Sequence, residues 1–412
     1  MNKKTSRPKI TIGSRNTSWN EIFLSEEVSF FGGLTYHPKD IRAGRGTLVL
    51  RSSNILEGEV VDADNVYVDD SIVNVENVRV GDIIVVVRNG SKALLGKHGV
   101  IKKDSPKTVI GAFMTGIRSN DPDFYNALLN SPKFQEEIRK NLGATINQIT
   151  NGNFKKLLFH IPCDPHESKE IGTYFRLLDD AIVATSKEYS KLQNIKKSYR
   201  SLLFPRPEEK KPQLRFKGFT KDWISMPLSY YASKVTTKNT TGAVSESFTN
   251  SAEFGIISQL DFFEHEITKE SNNTNYYVVN EDDFVYNPRI STYAPVGPIN
   301  RNKLGRKGIM SPLYMVFSVK DIDTMFLEYY FQTTLWHHYM KMNGNTGARH
   351  DRFSISDEDF FNMPIPTPCL EEQMAIGNLF YNLDKLISTQ SRRIVSLKRI
   401  KSACLARMFV YE

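Results

Sequence analysis

The sequence predicts an α+β protein made of two consecutive copies of one unit, each a globular domain followed by a long helix. In each half, runs of β-branched residues bounded by turn residues give way to a helical pattern. Each half then ends in a long segment with apolar residues in heptads. The halves also repeat in sequence: Trp19, Gly143 and Ile161 recur as Trp223, Gly347 and Ile365, a constant shift of 204 positions (365 − 161). Such a constant shift indicates a tandem duplication.

Length and composition are those of a folded protein with more than one domain. The chain has 412 residues, of which 40% are hydrophobic and 11% aromatic, so it can bury sizeable cores and is unlike a disordered chain. The formal net charge is +8. This surplus is compatible with a polyanionic partner, although a basic enzyme could carry the same charge.

Several features predict a cytoplasmic protein. The three cysteines, Cys163, Cys369 and Cys404, form no CxxC pair, which fits a reducing compartment. The first residues lack the apolar core of a signal peptide. No apolar run approaches the length of a membrane span, so we expect no membrane partner.

The first globular domain is predicted at residues 1–163. A helical pattern follows its strands at 123–142, with apolar residues on one side. The predicted strands are Thr47–Leu50, Ile55–Val61, Asn65–Val68, Val80–Val87 and Val109–Phe113.

The first long helix is predicted at residues 164–204. Asp164, Pro165 and Glu167 supply a capping carboxylate, a proline for the first turn and an acidic side chain beside the positive helix end. The apolar heptads predict a coiled-coil seam. A core helix of a larger domain is the alternative, but the stripe lasts for about five heptads, longer than most globular helices. The seam residues are Ile171, Phe175, Leu178, Ile182, Tyr189 and Leu192.

The second half repeats this order after a proline-rich, charged linker at residues 205–212. A second globular domain is expected at 213–366, and its helical pattern runs over 321–342. The second long helix occupies 367–412, with seam residues Ile376, Phe380, Leu383, Ile387, Ile394 and Leu397. The predicted strands are Phe254–Ile257, Tyr276–Val279, Asp283–Tyr286 and Met310–Phe317.

The linker sets the expected direction of the second long helix. Eight residues span at most about 28 Å, whereas a helix of about 36 residues measures about 54 Å. The second globular domain therefore starts near the far end of the first helix, and the second helix returns antiparallel unless that domain itself carries the chain back. This predicts an antiparallel coiled coil with pseudo-two-fold symmetry. Polar seam levels, Thr185 with Gln390 and Lys196 with Lys401, either fix the register or mark where the helices separate.

Several segments resemble the specificity (S) subunits of type I restriction–modification systems. Residues 212–223, Pro-Gln-Leu-Arg-Phe-Lys-Gly-Phe-Thr-Lys-Asp-Trp, are similar to the start of a target recognition domain in that family, and residues 8–19 are a degenerate copy. Residues 364–376 are similar to the family's second conserved helical region. The first copy departs from it, since Ser168 and Lys169 stand where the second has Gln373 and Met374. The resemblance covers essentially the whole chain.

The resemblance implies a non-catalytic subunit with two α/β target recognition domains in tandem. Each domain would bind one half of a split, asymmetric sequence in double-stranded DNA, and the helices would fix the gap. Two methyltransferase (M) subunits, which use S-adenosylmethionine to methylate adenine N6, would dock on the helices. Two restriction (R) subunits, which use ATP and Mg²⁺, would join them. No cofactor is expected in this chain. A coiled-coil interaction scaffold without sequence-specific DNA binding remains the alternative.

The residues agree with the absence of catalysis. No G-x-x-x-x-G-K-[ST] phosphate loop occurs. The string most similar to an Asn-Pro-Pro-Tyr methyltransferase pocket is Asn287-Pro288-Arg289-Ile290, which lacks the aromatic that stacks on a flipped base. The adjacent His337 and His338 would point about 100° apart on a helix and do not have metal-ligand spacing, so no metal site is expected.

Candidate DNA contacts are forked donors, amides and hydroxyls on glycine-containing loops. The strongest candidates are Arg88, Asn147, Gln148, Arg289, Arg349 and Arg352. Any one of these could instead be a solvated turn residue. The further candidates in the first half are Arg42, Arg45, Arg51, Ser52, Asn54, Asn89, Ser91 and Lys92. Those in the second half are Tyr293, Arg301, Lys303, Asn345 and His350.

Overall fold

The computed structural model describes residues 7–12, 17–142, 147–262, 270–346 and 351–410. The chain forms two compact units, each described by itself below. The first unit comprises Met1–Lys187 and Ser391–Glu412, and the second comprises Glu188–Gln390. Each long helix therefore contributes a segment to both units. For this reason the bounds of the units differ from those of the domains, helices and linker expected from the sequence.

Strands of the first unit form three sheets within the described residues. One pairs β1 with β12 antiparallel, a second has the order β10-β4-β7-β3, and a third has the order β2-β11-β8-β9-β6-β5. The strands are β1 (Trp19–Phe23), β2 (Ser29–Gly32), β3 (Ile41–Arg42), β4 (Thr47–Leu50), β5 (Ile55–Leu56), β6 (Glu59–Val60), β7 (Val66–Val68), β8 (Ile83–Val86), β9 (His98–Val100), β10 (Thr108–Ile110), β11 (Met114–Arg118) and β12 (Leu158–Pro162).

Short helices of the first unit pack against the third sheet. They are α1 (Pro122–Asn130), α2 (Pro132–Lys140) and α3 (Asn151–Lys155). The helical pattern predicted over 123–142 is thus two helices. Ser131 ends the first, where its backbone N–H donates to Leu128, and its side chain accepts from the N–H of Phe134 at the start of the second. Pro132 cannot continue α1 because it has no N–H to donate.

The first long helix, α4 (Pro165–Leu202), and the last, α10 (Leu370–Met408), run antiparallel within the first unit. The Tyr174 hydroxyl lies 3.4 Å from the Cys404 sulfur. One turn further along α4, Asp179 accepts from Lys401 at 2.6 Å, one turn earlier along α10. Partners that advance on one helix and recede on the other define an antiparallel pair.

An aromatic cluster ties the end of α10 to the core of the first unit. Phe409 lies 6.2 Å from Trp19 and 6.0 Å from Phe175, measured between ring centroids. Trp19 also donates its indole N–H to Glu167 at 3.2 Å, and Phe124 lies 5.9 Å from Phe409. These rings are buried together in one cluster, so the C-terminal helix is part of the first unit's hydrophobic core.

Strands of the second unit form a central antiparallel sheet, with the order β14-β21-β18-β19, and two-stranded pairs within the described residues. The pairs are β13 with β24, β15 with β16, β17 with β20, and β22 with β23. The strands are β13 (Ile224–Pro227), β14 (Ala232–Lys234), β15 (Phe248–Ser251), β16 (Gly255–Ser258), β17 (Tyr277–Val279), β18 (Phe284–Tyr286), β19 (Ile299–Arg301), β20 (Gly308–Met310), β21 (Met315–Val319), β22 (Asn345–Thr346), β23 (Phe353–Ser354) and β24 (Pro364–Thr367).

Two predicted elements of the second unit are each divided in the structure. The strand predicted over 310–317 is β20 and β21, separated by a turn in which Tyr314 donates to the carbonyl of Ser311. The helix predicted over 321–342 is two helices, because Thr333 and Trp336 hydrogen-bond carbonyls at the end of the first. The short helices are α5 (Leu228–Tyr231), α6 (Gln259–Phe262), α7 (Thr324–Phe331), α8 (His337–Asn343) and α9 (Asp357–Phe361).

The predicted linker is packed within the second unit. Pro205 and Pro212 are buried. The backbone N–H of Leu214 donates to Leu202 at 2.9 Å, and that of Trp223 donates to Lys210 at 2.9 Å. The segment therefore folds back onto the end of α4.

Contacts of the second unit repeat those of the first. Lys196 donates to Asp384 at 2.6 Å, as Lys401 does to Asp179. Phe204 stacks on Phe380 at 6.2 Å and lies 6.4 Å from Trp223. In the first unit, Phe409 makes the corresponding contacts with Phe175 and Trp19. The end of α4 and the start of α10 thus run antiparallel here too.

Buried acidic side chains anchor the start of each long helix. Glu167 accepts a hydrogen bond from Trp19 in the first unit. In the second, the Glu372 carboxylate accepts from Nε and Nη2 of Arg215, both at 2.7 Å. Gln373 accepts from the backbone of Asp323 at 2.9 Å. The motif residues at the start of α10 therefore hold the helix against its unit.

The predicted α+β class with antiparallel long helices is confirmed within each unit. Side chains at the predicted seam are buried or half-buried, while most positions between them are exposed. The seam residues of this kind are Ile171, Phe175, Leu178, Ile182, Tyr189, Leu192, Ile376, Phe380, Leu383, Ile387, Ile394 and Leu397. Among the described residues, no helix combines the length and the apolar character needed to cross a bilayer.

Candidate nucleic-acid interface

In the first unit, the loop after β8 meets the segment that leads into α3. Arg88 and Gln148 form an isolated antiparallel β-bridge. On one side of the bridge, the backbone N–H of Ile149 donates to Val87 at 2.9 Å. On the other side, the N–H of Asn89 donates to Asn147 at 3.2 Å. Two predicted loops distant in sequence are therefore held edge to edge.

The Arg88 and Gln148 side chains face away from the core. Their neighbours Val87 and Ile149 are 4% and 1% exposed. Successive side chains of an extended segment point to opposite faces, so the bridge residues project outward beside each other. Arg88 is exposed and Gln148 is half-buried.

Polar contacts brace this bridge from a third predicted loop. Asn89 donates to the Ser52 hydroxyl at 3.3 Å, and the carbonyl of Ser52 accepts from Lys97 at 3.0 Å. Asn147 donates to the carbonyl of Gly90 at 2.9 Å. The structure thus brings the loops at 51–54, 88–92 and 147–148 together, with the Asn89 and Asn147 amides used inside the unit.

An exposed aromatic residue that sequence reasoning missed lies beside the bridge. The guanidinium of Arg88 sits 4.9 Å from the ring centroid of Phe113, which is 55% exposed. Phe113 also accepts from the backbone of Arg88 at 3.2 Å. Its position directly after Gly111-Ala112, at a predicted strand end, is the sequence signal that could have identified it.

The other first-half candidates have varied surroundings. Arg42 pairs with Asp69 at 2.9 Å, and Arg51 with Asp64 at 2.6 Å. Hydrogen bonds from Ser71, together with Arg42, lower the pKa of Asp69 to about 2, so that carboxylate stays charged beside Arg42 to a lower pH than an ordinary aspartate. Arg42 is exposed, as are Arg45, Ser91 and Lys92.

Asn54 has a structural role in this loop. It is fully buried, donates to Ala63 at 2.6 Å and to Asn65 at 2.9 Å, and accepts from the backbone of Arg51. Its amide is therefore occupied within the unit.

The second unit contains the same bridge. Arg289, after β18, pairs with Arg352, just before β23. The N–H of Phe353 donates to Pro288 at 2.7 Å, and that of Ile290 donates to Asp351 at 2.9 Å. These bonds match those around Arg88 and Gln148 one for one. The shift is 201 positions on one side (289 − 88) and 204 on the other (352 − 148).

Arg289 and Arg352 are exposed, whereas Phe353 is 5% exposed in the core. The alternation again turns the bridge side chains outward. Within the described part of residues 213–366, neither guanidinium pairs with a carboxylate. The other described arginines there are all paired: Arg215 with Glu372, Arg301 with Glu328, and Arg306 with Glu246.

The remaining second-half candidates lie in different surroundings. Tyr293 is 82% exposed in a tight turn closed between Ser291 and Ala294. Asn345 is exposed on β22, paired with β23. Arg349 and His350 lie outside the described residues.

Arg301 and Lys303 share one carboxylate. Both bind Glu328, at 2.7 and 2.6 Å, and the Arg301 side chain is 12% exposed. The Arg301 guanidinium is therefore bound within the unit.

The two histidines noted in the sequence are differently placed. His337 packs against Trp336, with ring centroids 4.5 Å apart, and is half-buried, while His338 is exposed. Burial, with a smaller effect of Lys341, lowers the pKa of His337 to about 4. In the part of the chain that the structure describes, no group of His, Cys, Asp or Glu is arranged to hold a metal ion.

The arrangement in each unit suits recognition by hydrogen bonding. Each bridge presents at least one arginine fork on a strand-like support. Two guanidinium groups placed side by side repel each other, so the pair in the second unit is matched best by a partner rich in acceptors, such as a nucleic acid.

Comparison with known proteins finds similarity in both sequence and fold. Residues 207–399 match the family described as type I restriction modification DNA specificity domain. A stretch of 109 residues is 29% identical to the type I restriction enzyme MjaVIII specificity subunit of Methanocaldococcus jannaschii. That stretch is 26% of this chain and 24% of the relative, so the match spans about a quarter of the relative's length.

A solved structure shares the fold over the whole chain. The type I restriction–modification S subunit from M. genitalium aligns with a TM-score of 0.63 at 13% identity. The alignment covers 99% of this chain and 100% of that one.

Proposed function

Because residues 207–399 match the type I restriction–modification DNA specificity domain, we propose that this chain is the specificity subunit of such a complex. In this proposal the chain binds double-stranded DNA sequence-specifically, in the cytoplasm, and directs modification and restriction to that sequence. The first unit is the recognition domain for one half of the target, and the second unit for the other half.

The observation that carries the proposal is the bridge that occurs once in each unit. Arg88 with Gln148, and Arg289 with Arg352, stand at matching positions and project outward. Outward-facing arginine forks and amides are side chains that can bind base edges in the major groove. Because the second residue of the pair differs between the units, the two half-sites would differ, giving an asymmetric, bipartite target.

The long helices support the second part of the proposal, in which two M subunits dock and recruit two R subunits. In the second unit, a groove of about 520 Å³ lies beside the start of α10. Ile224 and Tyr230, on its wall, are 64% and 56% exposed, and Leu370 and Met374 nearby are 52% and 47% exposed. Clustered exposed apolar side chains of this kind are typical of protein interfaces.

In this proposal the chain performs no chemistry itself. S-adenosylmethionine, ATP and Mg²⁺ would act in the partner subunits. Incubation of the purified chain with DNA and all three should yield neither methylated adenine nor cut DNA, whereas addition of an M subunit should yield methylation. Turnover by the chain alone would contradict the assignment.

Fluorescence titration of duplex DNA against salt tests the proposal against the scaffold alternative. DNA binding releases counterions, so log affinity should fall linearly with log salt, by about 0.9 per phosphate contacted. The double variant Arg289→Ala/Arg352→Ala should weaken binding, while Arg206→Ala, which removes an exposed arginine from the linker segment, should change it little. An interaction scaffold would bind duplex weakly and show no difference between these variants.

A further inference from the structure

The two bridges differ at one position in a way that bears on which base each unit binds. Arg88 and Arg289 are the same residue type, but Gln148 in the first unit stands where Arg352 stands in the second. Resting on the proposed function, we infer that Gln148 contacts an adenine of the first half-site and that Arg352 contacts a guanine at the matching position of the second.

The backbone around the two residues is equivalent. Ile149 donates to Val87, and Phe353 to Pro288, at 2.9 and 2.7 Å. Both donors are core residues, at 1% and 5% exposure. Equivalent main-chain bonds and equivalent buried neighbours hold both positions. The side chains of Gln148 and Arg352 therefore project in the same way, each relative to the bridge of its own unit. A difference in base preference then follows from the side-chain chemistry.

Gln148 offers a donor and an acceptor side by side. No hydrogen bond from its amide is formed within the described residues, in contrast to Asn89 and Asn147, whose amides bind Ser52 and Gly90. Adenine presents an acceptor, N7, beside a donor, the N6 amine, in the major groove, which a glutamine amide matches with two bonds. A phosphate only accepts, so it would leave the amide oxygen of Gln148 without a donor.

Arg352 offers only donors, in a planar fork. Guanine presents two acceptors, O6 and N7, at the same edge, which an arginine fork matches with two bonds. The neighbouring Arg289 adds a second positive charge, and no described carboxylate compensates either. Their mutual repulsion would be relieved by the acceptors of a bound duplex.

Arg88 and Arg289 are the same residue type and would offer the same forked donors to both half-sites. The bases contacted by Gln148 and Arg352 are therefore the ones at which the two bridges would make the half-sites differ. Swapping Gln148 and Arg352 should therefore swap the base preferences of the two half-sites at this position.

Selection from a pool of duplexes with randomised sequence, followed by sequencing, tests the inference on the full chain. Gln148→Arg should change one preferred base of the first half-site from adenine to guanine, by about tenfold (about 1.4 kcal/mol), and leave the second half-site unchanged. Arg352→Gln should change one base of the second half-site from guanine to adenine. The double variant, which keeps the net charge, should carry both changes.

Matched controls separate base recognition from a change in charge. Gln135→Arg adds the same charge at an exposed position of α2, and Arg206→Gln removes the same charge from the linker segment. Both should select the wild-type sequence. Thermal unfolding of every variant establishes that it is folded, and the two single variants test the inference independently.

The outcomes distinguish the inference from the proposed function. If wild type selects a split sequence and both bridge variants select that same sequence, the base assignment is overturned while the proposed function stands. An equal loss of affinity for all sequences would mark phosphate contacts and would also overturn the assignment. Failure of wild type to select any sequence would instead contradict the proposed function.

Discussion

Gly172 and Gly377 occupy matching positions in the two long helices (377 − 172 = 205), and each touches the start of a short helix. A Cβ on Gly172 would lie 2.5 Å from the backbone nitrogen of Phe124, and one on Gly377 would lie 2.9 Å from a carboxylate oxygen of Asp323. At both sites a side chain would force the long helix away from its unit. The duplication thus preserves a packing requirement at the scale of one atom.

Gly172→Ala should lower the stability of the chain. Alanine favours a helix by about 1 kcal/mol over glycine, but the clash is with backbone that cannot rotate away, and overpacking of this kind costs about 1–3 kcal/mol. We expect a lower melting temperature by circular dichroism. Gly32→Ala is the matched control, because a Cβ there meets nothing within 4 Å. An equal or higher melting temperature for Gly172→Ala would show that the close packing is absent.

His337 makes stability depend on pH. Its pKa is lowered to about 4 by burial, from an ordinary value near 6.5. As pH falls below about 6.5, the unfolded chain takes up a proton that the folded chain does not, so the stability contribution is full above 6.5 and is lost progressively down to about 4. His337→Gln should therefore reduce the loss of stability between pH 6.5 and 4 in denaturant titrations.

His338→Gln is the control for that titration, since His338 is the adjacent residue and is exposed. It should leave the pH dependence near that of wild type. Identical pH profiles for His337→Gln and wild type would contradict the assigned burial effect.

Sequence reasoning at the residue scale identified donors on loops but not which of them meet. Arg88, Gln148, Arg289 and Arg352 each lie in a predicted loop, and their types suit base contacts. Their pairing depends on backbone bonds between segments about 60 residues apart in sequence, as in Gln148 with Arg88 (148 − 88 = 60). Local patterns do not encode such pairing. For the same reason the internal use of Asn54 could not be predicted.

At the scale of elements, a lysine–aspartate ion pair joins the long helices once in each unit. Lys401 binds Asp179 at 2.6 Å, with the side chains 20% and 26% exposed, and Lys196 binds Asp384 at 2.6 Å. In the second unit Tyr329 also donates to Asp384 at 2.8 Å. The two lysines were predicted at a polar seam level, and in the structure each has a carboxylate partner on the other helix.

Lys401→Glu should destabilise the chain by about 1–3 kcal/mol, because it removes a partly buried charged hydrogen bond and places two carboxylates together. The double variant Asp179→Lys/Lys401→Glu should regain part of the loss. Arg399→Glu makes the same charge change at an exposed position of α10 and should have little effect. Urea unfolding measures all of them, and an additive double variant would contradict the pairing.

Element boundaries show which signals in the sequence were sufficient. The long helices were predicted within a few residues because their heptads persist over many turns. The single helix predicted over 321–342 is instead α7 and α8, since Trp336 turns back to donate to Phe331 at 3.0 Å. An apolar residue that fits a helical pattern can equally fill a core from a turn, and periodicity does not distinguish the two.

At the scale of the whole molecule, repeated contacts in the two units support one duplicated architecture. The aromatic cluster, the helix ion pair, the close-packed glycine and the bridge all occur in both units. The residues that differ, above all Gln148 and Arg352, lie on the outward face of the bridge. Duplication followed by change at the recognition face would produce a subunit that binds two different half-sites.

The most direct test of this account maps methylated adenines in DNA from cells that express an M subunit with or without this chain. We predict methylation in a split sequence, two specified blocks separated by an unspecified spacer of constant length, which is absent when the chain is absent. Methylation that does not depend on the chain, or that occurs in one continuous block, would contradict the account.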